Sequence, residues 1–352
     1  MPSDMLTVVG WDIGGVNIKA GRLLWQNKEI ADMKAVSHPF EIWLKRERLS
    51  DALRAVGNEL DLAGTQAMAV TMTAELSDAF RSKRDGVVFI LDAFKQAFPN
   101  IPSYLLNLSG DLVQLSEARQ NPLDFAATNW LASALFVADK HRDCILVDVG
   151  STTTDIIPIR RGRVIAKGFT DLSRLASGEL VYTGVQRTNP NTVSAFVPIR
   201  GQMCRVSAEY FTVMGDIYLL LGYLSSQAYT SSTPDGRNKS LDAARERLAR
   251  LICADCDMLG KEELFKLARY LFEKQLQQVA EALFQVLSRL ENGYRLSLAA
   301  AGSGSFLAAE IGRRQGMKII DMAKEWGEKV MAALPSLAVA FLLAKRLEVK
   351  RQ

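Results

Sequence analysis

Trp11-Asp12-Ile13-Gly14-Gly15-Val16-Asn17-Ile18-Lys19 sets two glycines between β-forming runs, with an aspartate two residues before the first of them. The flanking runs, Leu6 to Trp11 and Val16 to Trp25, predict two strands joined by a tight hairpin. A turn at Gln26-Asn27-Lys28 and a further run from Glu29 to Val36 extend them into an antiparallel meander. Glycine carries no Cβ, so backbone N–H groups at such a turn can close on a phosphate and form an anion nest. A carboxylate beside a phosphate is repelled unless a cation lies between, so Asp12 implies Mg²⁺ together with phosphate. The same residues also suit an ordinary hairpin whose glycines supply positive φ.

Outward from the meander come a helix over 49–62, a β-branched run from Ala67 to Thr73, a helix over 87–98 and a strand from Tyr104 to Leu108. The order is β-β-β-α-β-α-β. After a helical region over 125–138 the pattern restarts with Cys144 to Val149, Thr154 to Arg160 and Arg163 to Lys167, Arg161-Gly162 marking a tight turn. The restart carries Val147-Asp148-Val149-Gly150-Ser151-Thr152-Thr153-Thr154-Asp155. Here Asp148 repeats the role of Asp12, and Ser151 with three consecutive threonines offers hydroxyl donors to phosphate. An architectural repeat of this kind predicts a paired phosphate site, with Gly14, Gly15, Asn17 and Lys19 from one loop and Gly150, Ser151, Thr152 and Thr153 from the other.

A third glycine-bearing turn, Gly302-Ser303-Gly304, lies between a strand over 295–301 and a helix, where backbone and helix N-terminus can meet a nucleotide or substrate. A plain strand-to-helix turn fits it equally, and no early Gly-x-Gly-x-x-Gly makes it a Rossmann fingerprint. Residues 184–202 read as an insertion loop containing a short strand from Thr192 to Val197. Helices over 241–254 and 261–290 carry apolar residues at three- and four-residue spacing, which suits packing within the second half or a coiled-coil partner. A terminal helix over 326–347 breaks or restarts at Pro335.

At 352 residues and 38.9 kDa the chain exceeds the usual size of one core, which predicts two domains. A net charge of +4 with scattered basic residues gives no nucleic-acid footprint, and Lys345, Arg346, Lys350 and Arg351 read as a solvated helix end. Four cysteines are too few for a disulfide scaffold and favour a reducing compartment. Cys253 and Cys256 form a CxxC without a second pair, with only His38 and His141 as imidazoles, and read as buried thiols rather than zinc ligands. The first eleven residues lack a signal-peptide pattern, and the most apolar stretch, Ala332 to Ala344, is too short to span a bilayer. The expectation is a cytoplasmic protein with small-molecule partners, no membrane and no nucleic acid; no oligomeric state follows.

In order, the three motifs resemble the phosphate-1, phosphate-2 and adenosine segments of the actin, sugar-kinase and Hsp70 superfamily. That resemblance implies an α/β fold of two ribonuclease-H-like lobes, with mixed sheets flanked by helices around a central cleft. The first lobe would span 1–140, with a C-terminal helix at 328–352 packing back on it, and the second 141–327 with a helical insertion. It also implies that Asp12 and Asp148 face each other across a metal and phosphate site.

Three further stretches carry a narrower resemblance: Val70-Thr71-Met72-Thr73-Ala74-Glu75-Leu76-Ser77-Asp78-Ala79-Phe80, Asn129-Trp130-Leu131-Ala132 and Gly178-Glu179-Leu180-Val181-Tyr182-Thr183-Gly184-Val185-Gln186-Arg187-Thr188. They are similar to hydantoinase/oxoprolinase-related proteins of tetrahydromethanopterin-linked one-carbon transfer. Archaeal members of that group include an enzyme that joins an aminomethylfuran methanol diphosphate to glutamyl-tyramine. The implied activity is a biosynthetic transferase of methanofuran-type cofactor metabolism, in which Mg²⁺ bridges Asp12, Asp148 and a diphosphate leaving group while a phenolic nucleophile captures the carbon. ATP use stays open. Glu75, near Thr73, Asp78, Arg81, Lys83 and Arg84, is then a catalytic or substrate-orienting candidate, and Glu179, Tyr182 and Arg187 are substrate or nucleotide candidates. A charged loop and a structural turn explain the same residues without function. The alternatives are an ATP-dependent small-molecule kinase or oxoprolinase-like amidohydrolase, and a nucleotide-binding regulator.

Overall fold

The computed structural model of the protein describes residues 5–349. The chain divides into two compact units, one comprising residues through Cys144, Ile159–Asp171 and those from Met322 on, the other Ile145–Pro158 and Leu172–Asp321.

The first unit is built on β1 (Leu6–Ile13), β2 (Asn17–Gln26), β3 (Glu29–Pro39), β4 (Ala67–Met72), β5 (Ser103–Leu106) and β6 (Leu112–Gln114), in the spatial order β3-β2-β1-β4-β5-β6. β1, β2 and β3 are antiparallel neighbours, whereas β4 runs parallel to β1 and β5 parallel to β4. The β2–β3 turn has Asn27 and Lys28 both at positive φ, 52° and 66°, the geometry of a two-residue hairpin turn that follows the strand twist. Every residue of β1 is buried, as a central strand covered on both faces requires. On one face Val9, Trp11 and Ile13 join the core with the helices Leu49–Leu60 and Lys83–Ala97, and the Trp11 ring meets Phe94 and Phe98 at 5.6 and 5.0 Å.

The other face is covered by the helix Leu334–Val349. Its sequence is apolar almost all round because it also packs against the helix Asn129–Lys140. Pro335 sits in its first turn, where a missing N–H leaves no bond unmade. Contact with the sheet is backbone to backbone: a Cβ added at Gly10 would stand 1.9 Å from the Ser336 carbonyl oxygen and 2.7 Å from Ala340 N. Aromatic edges fix the helix's position, Phe341 meeting Trp25 at 5.6 Å and Phe136 at 5.2 Å.

The second sheet repeats the plan. It uses β7 (Cys144–Val149), β8 (Thr154–Arg160), β9 (Arg163–Val164), β10 (Leu180–Val181), β13 (Ser297–Ala301) and β14 (Ile319–Asp321), in the order β10-β8-β7-β13-β14, with β9 also on β8. The outer place held by one long strand in the first sheet is split here: β9 pairs with Ile159 and Arg160, β10 with Asp155 and Thr154. Two sheets with this order and a leading meander are ribonuclease-H-like, and the actin-like fold expected from the sequence is present. Ile145, Val147 and Val149 enter a core shared with the helix Lys261–Ser288, whose Leu264, Leu267, Leu271 and Val279 are buried within the unit. The apolar spacing of that helix therefore serves internal packing.

Some expectations change. The short strand expected over 192–197 begins only at Phe196, because a 3₁₀ turn occupies Pro190–Thr192, with the Asn189 side chain accepting from Asn191 N at 3.0 Å. The hairpin comes later, β11 (Phe196–Ile199) with β12 (Gln202–Arg205), because Arg200 and Gly201 adopt positive φ of 49° and 78°. Cys253 and Cys256 are exposed, not buried, since the helix Leu241–Arg250 ends before them. Lys345 reaches Asp139 at 2.5 Å and Arg346 lies over the Tyr104 ring, while Lys350 and Arg351 fall outside the described residues. Among the described residues no helix is long and apolar enough to cross a membrane.

Gly10→Ala drives a methyl group into helix backbone that cannot rotate away, and is expected to lower stability by ~3 kcal/mol or abolish folding. Gly15→Ala, with nothing within 4 Å of the added carbon, is expected to leave it unchanged; chemical denaturation of both variants is the check.

Candidate functional site

In the first unit β1 delivers Asp12 to its end, opposite Lys19 of β2 and beside Thr71 of β4. Strand alternation puts Asp12 on the face opposite to Trp11 and Ile13, away from the aromatic core. The Gly14 N–H donates to the Asn17 carbonyl at 3.0 Å, closing the turn. The carbonyls of Gly15 and Val16 accept from Ile42 N at 3.1 Å and Phe40 N at 2.8 Å, so the chain after β3 holds the loop from outside. Neither Gly14 nor Gly15 has positive φ, and the space over Gly15 is open to 4 Å. The turn is a hairpin, but positive φ is not what its glycines supply: a Cβ at Gly14 would stand 3.0 Å from the Asn17 carbonyl oxygen, while Gly15 leaves the backbone open.

The second unit builds the same turn from Asp148 onward, Gly150 N donating to the Thr153 carbonyl at 2.8 Å. Three successive amides lock it: Val185 N bonds the Gly150 carbonyl, and Gln186 N and Arg187 N bond that of Ser151, each at 3.0 Å. This approach needs Gly184, where a Cβ would lie 2.5 Å from Thr152 N. Ser151, Thr152 and Thr153 are partly exposed on the loop, but Thr154 is buried and its hydroxyl donates to the Thr183 carbonyl at 2.8 Å, so it is no phosphate donor. Gln275 closes the back of the loop, donating to Thr183 Oγ1 at 2.7 Å and the Gly184 carbonyl at 2.9 Å.

The Gly302-Ser303-Gly304 turn joins the same cluster. Gly304 N donates to the Val149 carbonyl at 2.8 Å, and a Cβ at Gly302, whose φ is +81°, would stand 2.3 Å from Asp148 Oδ1. The glycines at 302 and 304 are thus required by the chain's own Asp148, Val149 and Val185, and Ser303 is the exposed member. Just beyond them Phe306 stacks on Tyr223 at 4.7 Å, and Tyr223 on Phe272 at 5.3 Å.

The substrate candidates separate. Glu179 is fully buried; Arg289 pairs with its carboxylate and Ser177 Oγ donates to it at 2.9 Å, which is a structural ion pair rather than a presented acid. Tyr182 is 59% exposed at the end of β10, and the backbone of Arg187 is bonded directly to the Ser151 loop.

Glu75 stands apart. It lies in a 3₁₀ turn, Ala74–Leu76, immediately past β4, whose Thr73 N donates to the Ile13 carbonyl at 3.0 Å beside the Asp12 loop. It is 1% exposed, and neither carboxyl oxygen has a hydrogen-bond partner. Gly86, in the first turn of the helix Lys83–Ala97, presses on its backbone, where a Cβ would come within 2.7 Å of Glu75 Cα. Burial pushes the Glu75 carboxyl up to about 8, against downward pulls from its own backbone, Lys83 and the Ala127 backbone, and with a smaller upward push from Asp171. Lys83 is paired with Asp171 at 2.5 Å. Asp171 and Gln275 had no motif to announce them, since their roles arise from contacts 88 and 92 residues away in sequence.

Among the described residues no group of three or more His, Cys, Asp or Glu side chains gathers for a metal. Mg²⁺ is commonly held by one or two carboxylates plus substrate phosphates and needs no such cluster.

Residues 66–346 match the hydantoinase/oxoprolinase family, and the chain belongs to it. It is 36% identical over 345 residues to a (4-{4-[2-(gamma-L-glutamylamino)ethyl]phenoxymethyl}furan-2-yl)methanamine synthase of Methanocaldococcus jannaschii, covering 97% of this chain and 99% of that one. A protein of the same description from Methanococcus vannielii is 32% identical over 214 residues, 59% of this chain and 94% of that one. Among solved structures, a nucleotide-free acetone carboxylase matches with a TM-score of 0.59 at 11% identity, over 96% of this chain and 70% of that one, a likeness of fold.

A raised carboxyl titration links Glu75 to stability. The unfolded side chain ionises near its ordinary value while the folded one stays protonated to about 8, so stability is full at low pH and falls as pH rises through that window. Urea unfolding is expected to show a loss on the order of a few kcal/mol between about pH 5 and pH 8, absent from Glu75→Gln.

Proposed function

We propose that this protein is a biosynthetic transferase of methanofuran-type one-carbon cofactor metabolism, joining a diphosphate-activated furan alcohol to a phenolic, tyramine-type acceptor. The observation that carries the reading is the 36% identity, over nearly the whole of both chains, to the Methanocaldococcus jannaschii synthase, whose name describes a phenoxymethyl-furan ether. Such an ether is made when a phenol oxygen attacks a furanylmethyl carbon that bears a leaving group. The furan ring donates electron density to that carbon, so positive charge developing there is tolerated and the leaving group's departure becomes the step to assist. Diphosphate is the leaving group that suits two open, glycine-bearing loops.

In this reading Gly14, Gly15, Asn17 and Lys19 of the first loop, and Gly150, Ser151, Thr152 and Thr153 of the second, bind phosphate oxygens. Backbone amides and hydroxyls there hold charge that grows as the C–O bond breaks, which is where preorganised donors act most strongly. Asp12 and Asp148 are the carboxylates assigned to Mg²⁺, which when bound neutralises the departing diphosphate. Lys19, opposite Asp12 in the strand pair, adds a fixed cation to the first loop. Ser303, Tyr182 and Arg187 remain candidates for contacts to the rest of the substrates.

The test is diphosphate release and ether formation from a furanylmethyl diphosphate and a tyramine-type phenol with Mg²⁺, run beside ATP alone. Wild-type protein is expected to release diphosphate only with both substrates and to leave ATP intact. Asp12→Asn and Asp148→Asn are each expected to lower kcat by ~100-fold or more without changing the unfolding transition. Full activity in both variants defeats the metal assignment, and acceptor-stimulated ATP hydrolysis in place of ether formation defeats the transferase.

A further inference from the structure

We propose that Glu75 is the general base that takes the phenolic proton of the acceptor as its oxygen attacks, an assignment that rests on the transferase reading above. Two other buried carboxylates of the chain are matched: Asp216 receives two bonds from Arg247, and Glu179 pairs with Arg289. Glu75 has no such match. Both its oxygens lie in the interior without a hydrogen-bond partner, although a cation, Lys83, is near enough to act on it. Lys83 is instead committed to Asp171. An acid left this way by the fold is destabilising unless a polar group from outside completes it.

Its position suits that role. Glu75 follows β4 by three residues, and Thr73, between them, is bonded to the backbone of the Asp12 loop. The end of a parallel strand beside a phosphate loop is where open α/β sheets bind ligands. Thr128, at the start of the helix Asn129–Lys140, is likewise fully buried with no partner for its hydroxyl, and the neighbouring Ala127 backbone acts on the Glu75 carboxyl. The charged groups acting on Glu75 are Lys83 from the helix Lys83–Ala97 and Asp171 from the helix Asp171–Ser177.

The step balances without a further reagent. The phenol oxygen bonds to the furanylmethyl carbon, the bond from that carbon to diphosphate breaks with its electron pair leaving on diphosphate, and the phenolic proton passes to a Glu75 oxygen. Glu75 must be ionised beforehand, and burial holds its titration at about 8, between an ordinary carboxylate and a phenol near 10, a good match for a base that works on phenols.

The experiment compares wild type, Glu75→Gln and Glu75→Asp in ether formation, across pH and across acceptors whose phenols are made more acidic by ring fluorination. Wild-type kcat is expected to rise with pH to a plateau above about 8. Glu75→Gln is expected to lose ~100-fold with the unsubstituted phenol, to lose the limb near pH 8, and to recover progressively as the phenol becomes more acidic. Glu75→Asp is expected to keep the limb at reduced rate. An active wild type with Glu75→Gln unaltered in rate and pH profile overturns the inference, as does a deficit that is the same for every phenol, which marks a structural role. Should Glu75→Gln fail to fold, the wild-type profile and Glu75→Asp decide: no limb near pH 8 in either overturns it. A wild type that forms no ether from the diphosphate defeats the transferase reading itself, an outcome distinct from all of these.

Discussion

The helix Leu334–Val349 lies against β1 at a distance that only glycine permits. At Gly10 the strand backbone meets the helix backbone, and at Gly21 of β2 a Cβ would stand 2.6 Å from Leu337. Close contact along two neighbouring strands fixes the position of β1, and with it the residue at its end, Asp12, and the turn that follows. Trp11, one residue earlier, anchors the opposite face through Phe94 and Phe98. The candidate phosphate loop is thus carried on a strand clamped on both sides, and its Gly15 is free of packing duties. Gly15 has open space above it.

Buried charge is handled differently at structural and candidate catalytic positions. In the second unit the guanidinium of Arg247 meets Asp216, that of Arg174 meets Asp155 at 2.6 Å, and that of Arg289 meets Glu179. Removing one partner from such a pair leaves an uncompensated charge in the interior, so the first contact ties two helices together and the other two hold the region around β8 and β10. Glu75 is the contrast: an interior acid whose nearby lysine is spent on another carboxylate. The fold keeps it neutral at moderate pH by burial, and neutrality by burial is reversible when a polar substrate arrives. That reversibility is what a proton acceptor needs.

The two halves of the chain apply one design with different reinforcement. In the first, residues after β3 hold the loop through Phe40 and Ile42. In the second, Gly184 to Arg187 and Gly302 to Gly304 press directly on the loop, and Gln275 supports them from a long helix. Hydroxyls replace the open second glycine there, so the second loop offers side-chain donors where the first offers bare backbone.

Strand order, hairpin turns and the two Asp-x-Gly loops were legible in the sequence, because each depends on residues within a few positions of one another: β-branched runs, turn residues such as Arg161-Gly162, and the placing of Asp12 and Asp148 at strand ends. The three threonines after Ser151 looked alike in the sequence, and only the fold separated buried Thr154 from its exposed neighbours by setting the Thr183 carbonyl beside it. Glu179 and Glu75 also looked alike, both acids in loops near strand ends. Tertiary structure decided that one meets Arg289, 110 residues on, and that the other is buried with no side chain hydrogen-bonded to its carboxyl. Local pattern dictates where the backbone turns, but the state of a carboxyl group is set by which distant side chains and how much water surround it, and those are fixed only when the chain has closed.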